Sequence, residues 1–153
     1  MKMRPGKILV FVGPEVTQLV TECLKGYELL MAHNFDQGNN LIDMDGVDLF
    51  VIDILFDESQ AMELIKLIRA QPKHRKSSIV VTKLGPSDHA EMLRSVVTPL
   101  TSSQTISCYF EGEVADRDLG PVLRKTVDQY LPAHKRTSFN WVSYADWFVS
   151  VGR

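Results

Sequence analysis

The run Val47-Asp48-Leu49-Phe50-Val51-Ile52-Asp53 constrains this chain more than any other stretch. Its centre, Leu49 to Ile52, carries no polar side chain on either parity. A strand of that kind needs apolar cover on both faces, which is the habit of interior strands in parallel sheets. The run ends in a carboxylate. Open α/β sheets place their chemistry in the crevice outside the carboxyl ends of the strands, so Asp53 stands at a candidate site.

The surrounding pattern supplies the other elements. Lys7–Val12, Tyr27–Ala32, Ile79–Thr82 and Thr105–Phe110 are short, apolar and rich in β-branched or aromatic residues, and read as further strands. Between them, Glu15–Lys25 repeats Val16, Leu19, Val20, Cys23 and Leu24 at the spacing of one helix face. Ser59–Ala70 does the same with Met62, Leu64, Ile65, Leu67 and Ile68, and Pro72 follows as a stop. Phe35–Met44 is a weaker helix because Gly38-Asn39-Asn40 interrupts it, and Asp45-Gly46 is a turn. Asp88–Val97, with a cap near Ser87, and Leu119–Leu131 complete the helices. Five strands alternating with five helices predict a parallel sheet covered on both faces, in the doubly wound order 2-1-3-4-5.

Bulk properties narrow the function. A chain of 153 residues suits one domain. The formal charge of −2 gives no reason to expect a nucleic acid partner, and the short basic cluster Lys73-His74-Arg75-Lys76 reads as a solvated loop. No apolar run reaches the roughly 18 residues of a membrane span. The basic start, MKMRPGK, leads straight into a strand with no secretory cleavage pattern, so a cytoplasmic protein is expected. Cys23 and Cys108 read as two free thiols, and the four scattered histidines do not have the spacing of a zinc site. The loop Gly13-Pro14-Glu15-Val16-Thr17 lacks a phosphate cradle, which counts against a flavin.

The segment VDLFVIDILFDESQAMELIKLIR resembles the centre of a receiver domain from a bacterial response regulator. The resemblance covers about residues 7–132. It implies a flavodoxin-like, receiver-like α/β fold and puts Asp53 at the phosphoacceptor position, Thr82 at the hydroxyl position and Tyr109 at the switch aromatic. It also exposes departures. Receivers place two acidic residues after the first strand to hold Mg²⁺, and here those positions read Val12 and Gly13. Receivers carry a lysine after the switch aromatic, and here the run is Tyr109-Phe110-Glu111-Gly112-Glu113. Asp53 is therefore expected to face Glu111 and Glu113 with little compensation. Glu15 is close enough in sequence to reach inward, although Pro14 stiffens its approach.

These departures imply a degenerate receiver: a non-enzymatic signalling or scaffold module, without cofactor or metal, acting through protein contacts. Its expected partners are a histidine kinase or effector and a second copy of itself, with no nucleic acid and no membrane. The alternative is a phosphorylatable receiver with an altered Mg²⁺ site and Asp53 as acceptor. A small-molecule or flavin-binding flavodoxin-like protein is the third reading.

Residues 133–153 are set apart as a polar linker, Ala133–Thr137, and an aromatic tail. The tail holds both tryptophans of the chain, and Trp141, Tyr144, Phe148 and Val151 lie at helical spacing beside Trp147. An additional C-terminal helix is expected there. Its candidate interaction residues are Trp141, Tyr144, Trp147 and Phe148, set beside the face formed by the fourth helix, fifth strand and fifth helix.

Overall fold

The computed structural model describes residues 4–85, 89–113 and 116–137. Five strands, β1 Lys7–Phe11, β2 Glu28–Ala32, β3 Leu49–Asp53, β4 Ser78–Lys83 and β5 Cys108–Glu111, form one parallel sheet in the order β2-β1-β3-β4-β5. All five residues of β3 are buried, and the strand lies between β1 and β4, as its unbroken apolar run requires. The helices are α1 Thr17–Cys23, α2 Phe35–Leu41, the single turn α3 Phe56–Ser59, α4 Ala61–Ala70, α5 Ala90–Ser102 and α6 Leu119–Tyr130.

Alternation along the strands sends side chains to two separate apolar layers. Ile8, Val10, Val12, Leu49, Val51 and Val80 face α1 and α6, meeting Leu19, Val20, Leu123 and Val127. Leu9, Phe11, Phe50, Ile52, Ile79 and Val81 face the other way, meeting Leu64, Ile65, Ile68 and Val97. Gly38 has a use that its helix propensity hides. A Cβ there would lie 2.9 Å from the Phe11 ring and 3.2 Å from Leu64, so its absence lets α2 pack directly on the sheet. The cap is local: Asn34 Oδ1 accepts from the backbone N–H of Gln37 at 2.9 Å.

Of the boundaries that differ from expectation, two have a plain physical reason. The fourth major helix, α5, runs on to Ser102 rather than stopping at Val97. Pro99 removes only the bond to Ser95, whose position is exposed, so that carbonyl can face water. β5 starts at Cys108 rather than Thr105, because Thr105 O accepts from Arg69 Nε at 2.8 Å and is drawn out of the ladder.

The Ala133–Thr137 stretch, which its composition marks as a polar linker, is docked on the domain. Lys135 Nζ meets Asp48 Oδ1 at 2.6 Å, and Lys135 O accepts from the Gly6 N–H at 3.1 Å. Arg124, only 1% exposed, donates to Thr137 O at 2.8 Å and to Thr137 Oγ1 at 2.5 Å. It also donates to the carbonyls of Cys23 at 3.3 Å and Lys25 at 2.7 Å, and its guanidinium lies 4.5 Å over the Tyr27 ring. Thr137 N–H in turn donates to Tyr27 Oη at 3.2 Å. The chain therefore leaves the described region beside the α1–β2 turn. The tail residues Trp141, Tyr144, Trp147 and Phe148 lie outside the described residues.

Candidate functional site

β3 and β4 run side by side with Asp53 paired to Thr82, so the two side chains leave the sheet together on the α1–α6 face. Thr82 Oγ1 donates to Asp53 Oδ2 at 3.2 Å. The same oxygen accepts from the Leu84 N–H at 3.0 Å, and Oδ1 accepts from the Leu55 N–H at 2.9 Å. The carboxylate is thus engaged on both oxygens while Asp53 is 5% exposed. Burial pushes its pKa up, the three hydrogen bonds pull it back, and the charge of Glu15 adds to the upward push.

Glu15 does lean inward. Its carboxylate folds back over Gly13 into the space a Cβ at that position would fill. Val12, one step beyond the Phe11–Ile52 pair and so beside Asp53 in the sheet, is fully buried in one apolar cluster with Leu84 and Leu119. Leu119 packs directly on Gly112: a Cβ there would collide with Leu119 Cδ1.

Tyr109 lies elsewhere. It pairs with Val81 in the sheet and packs against the opposite apolar layer. Its hydroxyl donates to Glu111 Oε1 at 2.9 Å, and Arg94 Nε from α5 lies 2.9 Å and 3.0 Å from the two oxygens of the same carboxylate. Arg94 holds the Glu111 carboxyl below its ordinary range; burial, then the Glu111 contact, raises the Tyr109 phenol. The expected confrontation of Asp53 with Glu111 and Glu113 is therefore corrected. Glu111 is neutralised by Arg94 on the other side of the sheet, and the acid that acts on Asp53 is Glu15. Beside Glu111 a cleft of about 460 Å³ is lined by Lys83, Arg94, Glu111, Gly112, Glu113 and Asp116; neither Asp53 nor Thr82 lines it.

Sequence reasoning brought Asp53 and Thr82 together and missed Leu84, Leu119, Gly112 and Arg94. Only the phosphoacceptor spacing marked the first pair. The others act through contacts between distant segments, for which a single sequence carries no local signal.

Mg²⁺ takes hard oxygen ligands in near-octahedral geometry. The residues present do not fit it. Val12 and Gly13 bring no side-chain oxygen, which leaves Asp53 without the two acidic neighbours such a site needs. Among the described residues no group of three or more His, Cys, Asp or Glu side chains could hold a metal ion. Among them, too, no helix is long and apolar enough to cross a membrane. Cys23 and Cys108 are not joined in a disulfide.

The sheet order, the flanking helices and the strand-end aspartate define the receiver fold, and comparison with solved structures agrees. The response regulator TrrA from Thermotoga maritima, solved in complex with Mg(2+)-BeF, matches with a TM-score of 0.60 at 20% identity, over 84% of this chain and 100% of that one. The signal receiver domain of a signal transduction histidine kinase from Syntrophus aciditrophicus matches with a TM-score of 0.62 at 18% identity, over 87% and 95%. The phosphorylated cyanobacterial phytochrome response regulator RcpA matches with a TM-score of 0.58 at 13% identity, over 83% and 94%. No family model and no curated protein matches the chain.

Proposed function

We propose that this protein is a signalling module of the two-component type that works through protein contacts, with Asp53 as a structural tie rather than a phosphoryl acceptor. The observation that carries the reading is the state of the Asp53 carboxylate. It is 5% exposed and hydrogen-bonded on both oxygens, and the neighbouring acidic positions are replaced by Val12 and Gly13. Phosphoryl transfer relies on positioning and on charge stabilisation by metal and cations. Here each Asp53 oxygen already organises the β3 and β4 loop ends.

The partner is another protein. The exposed side of α5 offers apolar Met92, 58% exposed, and Val96, 41% exposed, next to the Arg94–Glu111 pair. A non-catalytic module needs such a surface and needs no turnover.

The test is a titration with Mg²⁺ and beryllofluoride followed by amide NMR. The expected result is no saturable shift at Asp53, Thr82 or Leu84. Saturable shifts there at millimolar Mg²⁺ would establish the competing reading, a phosphorylatable receiver whose Glu15 stands in for the missing acids.

A further inference from the structure

The stretch 133–137 adds nothing to the apolar layers. Its one apolar side chain, Ala133, is exposed, as are His134 and Arg136. The last apolar anchor before it is Leu131, buried beyond the end of α6, where a Cβ on Gly6 would lie 3.2 Å from Leu131 Cδ2. Pro132 follows at φ −55 and ψ 141 and turns the chain out of the helix.

Among the described residues, two polar grips hold the stretch. At the first, Lys135 Nζ meets Asp48 Oδ1 at 2.6 Å, with the side chains 31% and 14% exposed, and Lys135 O accepts from the Gly6 N–H. At the second, Thr137 O and Oγ1 accept from Arg124, and the Thr137 N–H donates to Tyr27 Oη. Asp48, Gly6 and Tyr27 each stand just before β3, β1 and β2. The stretch therefore crosses the amino ends of three neighbouring strands.

Each domain-side group keeps a partner without it. Asp48 Oδ2 accepts from the Lys7 N–H at 2.8 Å, Arg124 donates to the carbonyls of Cys23 and Lys25, and Tyr27 Oη donates to Asp128. Departure of the stretch thus leaves these buried polar groups partnered. A segment fixed by a few polar contacts, with no apolar burial of its own, opens at a lower free energy than the domain unfolds.

We propose that residues 133–137 form a strap across the amino ends of β3, β1 and β2, which opens and closes as one unit while the domain stays folded. The Lys135–Asp48 ion pair sets how tightly it is closed. Closed, the strap sends the chain out beside the α1–β2 turn; open, it moves the exit point back to Pro132. The strap lies at the opposite end of β3 from Asp53, so it stands apart from the reading of that residue.

Hydrogen exchange followed by NMR on the full chain tests this. The Gly6 N–H bonds to Lys135 O and the Thr137 N–H to Tyr27 Oη, so both amides report on the strap. The amides of Val51 and Ile52, inside β3, report on the domain. Gly6 and Thr137 should share one protection factor, about a hundredfold or more below those of Val51 and Ile52. Raising sodium chloride from about 0.05 to 0.5 M should lower only the first two, roughly fivefold, because screening weakens a partly exposed ion pair. Lys135→Met keeps the side-chain stem. It should lower both protection factors at low salt and remove their salt dependence, with Val51 and Ile52 unchanged. The salt series on the wild-type protein decides by itself if the variant does not fold. Protection of Gly6 and Thr137 as strong as that of Val51, no protection at either, a response of one without the other, or indifference to salt would each overturn the proposal.

Discussion

Thr82 Oγ1 donates to Asp53 Oδ2 across 3.2 Å, and the Leu84 N–H shares that oxygen at 3.0 Å. These two hydrogen bonds fasten the carboxyl end of β3 to that of β4. Four outcomes follow from this and from the contacts around it.

Asp53→Asn should destabilise the domain. Composition alone suggests the opposite, since the change removes a buried charge. The geometry decides otherwise, because an amide nitrogen would face an N–H from Leu55 or Leu84, leaving a buried donor unsatisfied at a cost of about 1–3 kcal/mol. The pH dependence has a definite sign. Burial raises the folded pKa of Asp53 above its ordinary 3.8. Its contribution is therefore fully present below that value and is lost as pH rises through the folded pKa. Urea midpoints should show the gap between wild type and Asp53→Asn widest in acid and narrowing toward neutral pH. A gap that widens as pH rises would mean that the charged form is the one the fold favours.

Gly112→Ala should cost about 1–3 kcal/mol, the usual range for overpacking, by driving a Cβ into Leu119 Cδ1. Leu119→Ala alone should cost about 2–5 kcal/mol through the cavity it leaves. The double variant should be more stable than the sum of the two implies, because truncating Leu119 removes the clash. Additive losses in a double-mutant cycle would show that the two positions do not meet.

Arg124→Met keeps the volume of the side chain but removes every bond from the guanidinium to Cys23, Lys25 and Thr137. The carbonyls left without donors are partly buried, so a loss of about 3 kcal/mol or more is expected in urea melts. The loss should change little with salt, since Arg124 is 1% exposed. Amide shifts should spread to Tyr27 and Thr137, which the guanidinium connects.

Asp57→Ala should cost about 1–2 kcal/mol. Asp57 sits at φ 43, where an aspartate is tolerated better than alanine, and its Oδ2 accepts from the Phe35 N–H at 2.7 Å at the start of α2. Asp57→Gly should lose less than Asp57→Ala, because glycine meets the backbone requirement and forfeits only the cap. Equal losses in thermal melts would put the whole effect on the hydrogen bond.

The fold was largely legible in the order of the residues. Periodicity is a local property, and the two-faced burial of Leu49–Ile52 follows from having no polar parity at all. The strand order and the pairing of Asp53 with Thr82 were likewise within reach, because parallel crossovers leave few topologies and strand ends carry the site. Where α5 ends was not legible: Pro99 is compatible with a helix only when the carbonyl it frees can reach water, and exposure belongs to the folded chain.

The site's chemistry was decided by tertiary structure. Nothing in the letters says that Glu111 is neutralised by Arg94, that Glu15 folds over Gly13, or that Gly112 admits Leu119. Nor do they say that a polar stretch after α6 is held by a buried arginine. Each of these is a contact between groups distant in the chain or a choice of side-chain direction. Such contacts are set by packing and desolvation, whose energies depend on what surrounds a group rather than on what precedes it. The residue types at Asp53, Thr82, Val12 and Gly13 were present in the sequence from the start. How deeply the aspartate is buried, and which groups its oxygens accept from, was decided only when the fold brought β3 and β4 together.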